Sequence, residues 1–156
     1  MKEKSWYKED ITIESIVGII NFTKELEKEY SITIQFIDDD NSYSAWLPYI
    51  RKIEMTIQQT PQRILSTLFH ELGHCYCHDM RLHKRYHHRK KKEDAIRYGL
   101  RAEKFTDKIG KKLMNIYFPT IPYLKGYNKK GVYFWYNMFV PMLKNKIMEE
   151  KNGRKK

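Results

Sequence analysis

The stretch from Thr60 to His78 holds the pattern that most narrows what this chain can become. Counted from Ile64 at helical pitch, Leu65, Leu68, Phe69, Leu72 and Tyr76 fall within an arc of about 0–140°, while His70, Glu71 and His74 fall at about 240–340°. One helix thus separates an apolar stripe from a polar triplet that faces a cleft. Thr60 is a good N-cap and Pro61 is pre-organised for the first helical position, which sets the start; the pattern runs to about His78. Gly73 sits inside it at a cost of roughly 1 kcal/mol of helix propensity relative to Ala, which points to close approach of another element behind the triplet.

The flanking sequence supplies what such a helix packs on. Ile11 to Tyr30 reads as an amphipathic helix, with Ile13, Ile16, Val17, Ile20 and Leu26 near helical spacing and Lys24, Glu25, Lys28 and Glu29 on the other side. Ile32 to Ile37 alternates and is β-branched, a strand; Asp38 to Ser42 is turn chemistry; Tyr43 to Leu47 is a short strand ending at Pro48; Lys52 to Ile57 alternates again. The economical arrangement is a three-stranded antiparallel sheet. A further helix is expected from about Glu93 to Tyr117, then a Pro- and Gly-marked loop from Phe118 to Gly131, then an aromatic-rich helix from Val132 to Met148, strained at Pro141. The fold class is α+β, with residues 1–150 as one domain and 151–156 as a basic disordered tail.

With 156 residues, 41% of them hydrophobic and 31% charged, the chain has apolar material for one core and is not disordered as a whole. No apolar run approaches the roughly 18 residues that span a bilayer, so no membrane partner is expected, and the charged start Met1 to Asp10 lacks a signal peptide's apolar region. Cys75 and Cys77, two apart on a helix, are too close for a comfortable disulfide. A reduced, cytoplasmic setting follows. The net charge of +11 favours acidic partners.

His70-Glu71-Leu72-Gly73-His74 is an H-E-x-x-H motif. Histidines four apart are neighbours on a helix face, so both imidazoles reach one metal ion, and Glu71 projects toward where a bound water would sit. A carboxylate there accepts the water's proton and later delivers it to a leaving amine. Zn²⁺ is the default ion for such a site, and Mn²⁺ also suits two histidines and a glutamate. A catalytic zinc usually takes a third protein ligand. The candidates are Cys75, Cys77, His78, His83, His87, His88, Glu93 and Glu103. His78 lies about 12 Å along the axis from His70, too far for one ion. The two cysteines read as small buried thiols. Glu103 fits best: Glu103 and Asp107 share a face of a strong helical pattern, one as ligand, the other as acceptor for the N–H of a ligand histidine.

Ser66-Thr67-Leu68-Phe69-His70-Glu71-Leu72-Gly73-His74 resembles the active-site helix of the ImmA/IrrE-type metallopeptidases, small gluzincins found in many bacteria, phages and mobile elements. Glu103, Asp107, Ile109, Gly110 and Leu113-Met114 are similar in order and spacing to the family's second helix, although Phe69 stands where a small residue is usual. The resemblance spans about residues 11–118. It implies a zincin-like fold and a zinc-dependent endopeptidase acting on a protein substrate, often a transcriptional repressor, which such proteins cleave or bind. SprT-like, DNA-associated metalloproteases form the alternative. Their third ligand is a histidine some 15 residues after the motif, and His87 and His88 fall close to that distance. A module that keeps the metal and sequesters a regulator without cutting it is a further reading. Arg81, Lys84, Arg85, Arg89, Lys90, Lys91 and Lys92 form a basic stretch that reads as a solvated loop or as a site for nucleic-acid phosphates or an acidic substrate. His83, Tyr86 and His88 are candidates to assist an oxyanion, and Tyr133, Phe134, Trp135, Tyr136 and Phe139 read as core or partner-facing residues.

Overall fold

Thr12 opens the first helix. Its hydroxyl accepts from the Ser15 amide and the Ser15 hydroxyl accepts from the Thr12 amide, a reciprocal capping box. The cap starts α1 at Ile13–Tyr30, two residues later than the apolar spacing suggests. The computed structural model describes residues 6–38, 44–57, 60–82 and 92–127, with 130, 132, 137, 152 and 153. A short 3-10 turn at Trp6–Lys8 precedes α1; β1 (Thr33–Ile37), β2 (Ala45–Leu47), a 3-10 turn (Pro48–Ile50), β3 (Lys52–Thr56), α2 (Pro61–Asp79) and α3 (Lys92–Tyr117) follow. Nearly all of the expected helix over Val132 to Met148, most of the basic stretch and most of the tail lie outside the described residues.

The chain divides into two compact units, Met1–His83 with Phe105–Gly126, and Lys84–Lys104 with Tyr127–Lys156. In the second, the part of α3 over residues 92–104 buries Ile96 and Ala102. The first holds the sheet, α1, α2 and the rest of α3. No helix among the described residues is long and apolar enough to cross a membrane.

The α+β class and the three strands hold, but the sheet is mixed. Its order is β1-β3-β2, with β1 parallel to β3 and β2 antiparallel to it. The expected all-antiparallel sheet fails because β3 takes the centre and pairs in parallel with β1. Ile53 and Met55 are fully buried there, and a strand with that much apolar surface is most stable between two neighbours. The chain therefore leaves β1 at one edge, enters β2 at the other, and returns to the middle through the tight Pro48–Ile50 turn.

Helix α2 carries the core. Leu65, Leu68, Phe69 and Leu72 are fully buried and join Ile34, Ile53 and Met55 of the sheet and Leu26 of α1 in one cluster. Thr60 and Pro61 start α2 as the sequence suggests, the Thr60 hydroxyl accepting from the Arg63 amide. Phe69, unusual before the motif histidine, fills a ring cluster with Phe22, Tyr117 and Phe118. Helix α1 presents a different stripe from the one its apolar spacing favours: Ile19, Thr23 and Leu26 are buried, while Ile13, Val17 and Ile20 are exposed. Thr23 can be buried because its hydroxyl donates to the Ile20 carbonyl at 2.6 Å.

One residue ties three element ends together. Arg51 adopts a left-handed conformation (φ 48°), which costs a non-glycine residue roughly 1–2 kcal/mol. Its guanidinium donates to Ser31 O (3.1 Å) and Tyr30 O (2.9 Å) at the end of α1, and to both Asp79 oxygens (2.7 and 3.0 Å) at the end of α2. The Arg51 hydrogen bond, with its charge, holds the Asp79 carboxyl below the usual carboxylate range. Both side chains are more than a third exposed, so solvent trims the pair. Arg51→Ala should cost about 1–2 kcal/mol near pH 7 by urea unfolding, less than the full value of charged hydrogen bonds. A depressed acid stabilises above its unfolded pKa and stops doing so as pH falls through the folded one. The gap between wild type and Asp79→Asn should therefore be constant above about pH 5 and shrink below about pH 4.

Candidate metal centre

The apolar stripe of α2 faces the core, and the packing of the other elements encloses the polar triplet as well. His70 is 3% and Glu71 8% exposed, and His74 is half-buried. Among the described residues, His70, Glu71 and His74 form a group able to hold a metal ion, with one ligand atom from each all within 4.8 Å of one another. The two imidazoles lie 4.8 Å apart, centre to centre, at 87°.

Asp107 on α3 meets this group from behind. Its Oδ1 lies 2.6 Å from His70 Nδ1 and accepts from the Tyr123 hydroxyl at 2.5 Å. The Gly126 amide donates to both carboxylate oxygens, at 3.0 and 3.2 Å. Burial pushes the Asp107 carboxyl up, but the hydrogen bonds from His70, Tyr123 and Gly126 and the charge of His70 outweigh it, so the group lies below its ordinary value. An ionised Asp107 makes His70 Nδ1 the donor and Nε2 the basic nitrogen of the ring. Thr106 Oγ1 is 3.5 Å from His74 Nδ1, long for a hydrogen bond. The donor chemistry, two imidazoles with one tautomer held by a carboxylate, fits a borderline cation such as Zn²⁺.

The approach of α3 depends on glycine. A Cβ built on Gly73 would lie 2.7 Å from the Thr106 carbonyl oxygen and 3.0 Å from its methyl, and one on Gly110 would lie 2.7 Å from the Phe69 carbonyl oxygen. The two backbones touch at both places. This is the close approach that Gly73 implied in the sequence.

On the other side, Glu71 Oε2 accepts from the Trp46 amide at 2.7 Å. β2 is an edge strand of the sheet, so this amide is directed out of the ladder. The Trp46 ring packs near His78 and under the Arg51 guanidinium.

The remaining candidates separate cleanly. Glu103 is half-buried on α3, one helical turn before Asp107, in the second unit. Cys75 and Cys77 are buried and reduced. Burial, and then the charge of Asp79, pushes the Cys75 thiol up to about 11 against the opposing pull of Arg51, so it is protonated at neutral pH and inert. His78 is exposed beside Asp79 at the end of α2. His83, Tyr86, His87 and His88 lie outside the described residues, and of Glu93 only the helical backbone is described. Tyr123, Gly126 and the Trp46 amide carry no functional signal at the level of sequence. Gly126 was legible only as a loop marker, and a backbone amide has no sequence signature.

No family model, no curated protein and no solved structure matches this chain.

Gly73→Ala should destabilise the protein by about 1–2 kcal/mol in denaturant unfolding. Overpacking typically costs about 1–3 kcal/mol; a contact with a stiff backbone carbonyl falls in the upper half of that range, about 2–3 kcal/mol, and the roughly 1 kcal/mol gained in helix propensity offsets only part of it. A variant as stable as wild type would mean that the helices separate freely there.

Proposed function

We propose that the protein is a zinc-dependent endopeptidase of gluzincin type, akin to the ImmA/IrrE-type enzymes, with His70, His74 and Glu103 as metal ligands and Glu71 as general base. The observation that carries this reading is the buried His70–Glu71–His74 group with Asp107 on His70 Nδ1. A structural histidine pair would not need a carboxylate between its members and a second carboxylate behind it. As third ligand, Glu103 would supply the negative charge that two neutral imidazoles lack.

A bound Zn²⁺ would polarise the scissile carbonyl and acidify the attacking water. Glu71 takes the proton from that water and returns it to the departing amine. The Trp46 amide holds one oxygen of Glu71 and so sets the direction of the other. Asp107 keeps the Nδ1 proton on His70, so the ring would offer Nε2, and not Nδ1, to the cation. β2 is an edge strand of the sheet, and an extended peptide would be added beside it as a further strand. The substrate class is a protein or peptide, such as a regulator or repressor, met in the cytoplasm.

Elemental analysis should find about one metal per chain in wild type, lost in His70→Ala and in His74→Ala. Glu71→Gln should keep metal and fold and lose peptide hydrolysis by about 100-fold or more, because an amide cannot accept the water's proton. Cleavage is read by mass spectrometry of a peptide mixture incubated with metal-loaded protein. Glu103→Ala should weaken metal binding far more than the double change His87→Ala/His88→Ala; the reverse ranking would hand the third position to a histidine. Wild type that binds metal and cuts nothing would favour a sequestering module.

A further inference from the structure

The turn after α3 packs directly against the metal centre. Gln62 Nε2 donates to Pro122 O at 2.8 Å, the Leu124 amide donates to Ser66 Oγ at 3.0 Å, and Arg63 donates to Lys125 O at 2.9 Å. These bonds fasten residues 122–126 along the first turns of α2. The same segment delivers two donors to Asp107, the Tyr123 hydroxyl and the Gly126 amide. It also packs on His70 itself: a Cβ built on Gly126 would lie 2.5 Å from Cγ and Nδ1 of the imidazole and 2.8 Å from its Cβ. Only a residue without a side chain lets the backbone lie this close to the ring.

We infer that Tyr123 and Gly126 are positioning residues of the metal centre, which hold the Asp107 carboxylate and the His70 ring in the orientation that presents Nε2 to the cation. Three donors converge on Asp107 Oδ1, from His70, Tyr123 and Gly126. A carboxylate tethered by the hydroxyl and the amide cannot swing away from Nδ1. The ring is held by close contact with Gly126 and by the Asp107 carboxylate at Nδ1. Tyr123 acts on the metal only through Asp107, whereas Gly126 acts both through Asp107 and by contact with the ring. The inference rests on the metal reading above and extends it to a segment that carries no metal-binding motif.

The test is Co²⁺ titration of the full chain, followed by the visible absorption of the bound ion, with thermal unfolding of the metal-free protein as the control for fold. Tyr123→Phe should bind Co²⁺ about tenfold more weakly, at the low end of losses for groups that orient a ligand. Its metal-free melting temperature should stay close to that of wild type. In an Asp107→Ala background, Tyr123→Phe should add no further loss, because its only route to the metal is gone. Gly126→Ala should lose more than tenfold and alter the Co²⁺ spectrum, since the new methyl must displace the ring; Tyr123→Phe keeps the inference testable if that variant does not fold. Tyr123→Phe that binds like wild type, or that loses as much without Asp107 as with it, overturns the inference and leaves the metal reading standing. Wild type that takes up no Co²⁺ overturns both.

Discussion

The candidate metal site depends on how closely two helices approach. Gly73 and Gly110 let the backbone of α2 touch that of α3, with no side chain between the Phe69 and Thr106 carbonyls and the facing glycines. At that separation Asp107 reaches His70 at 2.6 Å. An added methyl at either position would have to be met by moving backbone, which is stiffer than a side chain, and a hydrogen bond weakens steeply beyond about 3.2 Å. The acidic residue and the histidine therefore form a pair only because neither helix has a side chain at the crossing. The polar centre and the apolar core are built on the same helix, and the close approach serves both: the Phe69 ring joins α1 to the end of α3 while the next residue, His70, meets Asp107.

The mixed sheet serves the site in a way that a meander could not. With β3 in the middle, β2 is left at an edge, and its Trp46 amide is donated to Glu71 rather than to a neighbouring strand. In a meander β2 would be central, both of its sides would be spent on the ladder, and Glu71 would face a sheet with no outward amide. The topology that buries Ile53 and Met55 is thus also the one that orients the Glu71 carboxylate. Arg51 then closes the far end, holding the last turns of α1 and α2 to the start of β3.

Much of this was legible in the residues. The Thr60-Pro61 start, the separation of Leu65, Leu68 and Leu72 from His70, Glu71 and His74, and the strand segments all follow from spacing and caps, which act over a few residues. Gly73 announced a close neighbour because a glycine inside a helix needs a compensating contact. The Glu103–Asp107 spacing announced a shared face, and one of the two is found on His70. What was not legible was anything set by competition between distant segments. The stripe of α1 that is buried, Ile19, Thr23 and Leu26, is chosen by what lies opposite and not by the helix's own spacing, which would have served Ile13, Val17 and Ile20 about as well.

The sequence by itself determined the local conformations and the chemistry: a capped helix, a histidine pair four residues apart, a glutamate beside it, and a glycine where a neighbour must come close. Periodicity and capping are local interactions, so a short window of residues contains all that is needed to see them. Only the tertiary structure decided the partners. It made β1 parallel to β3, left β2 at the edge, brought the Trp46 amide to Glu71, and laid Tyr123 and Gly126 on the Asp107–His70 pair. Those contacts join segments far apart in the chain, two of them through backbone amides that every non-proline residue possesses. Their identity is set by packing, where one residue's position depends on all the others.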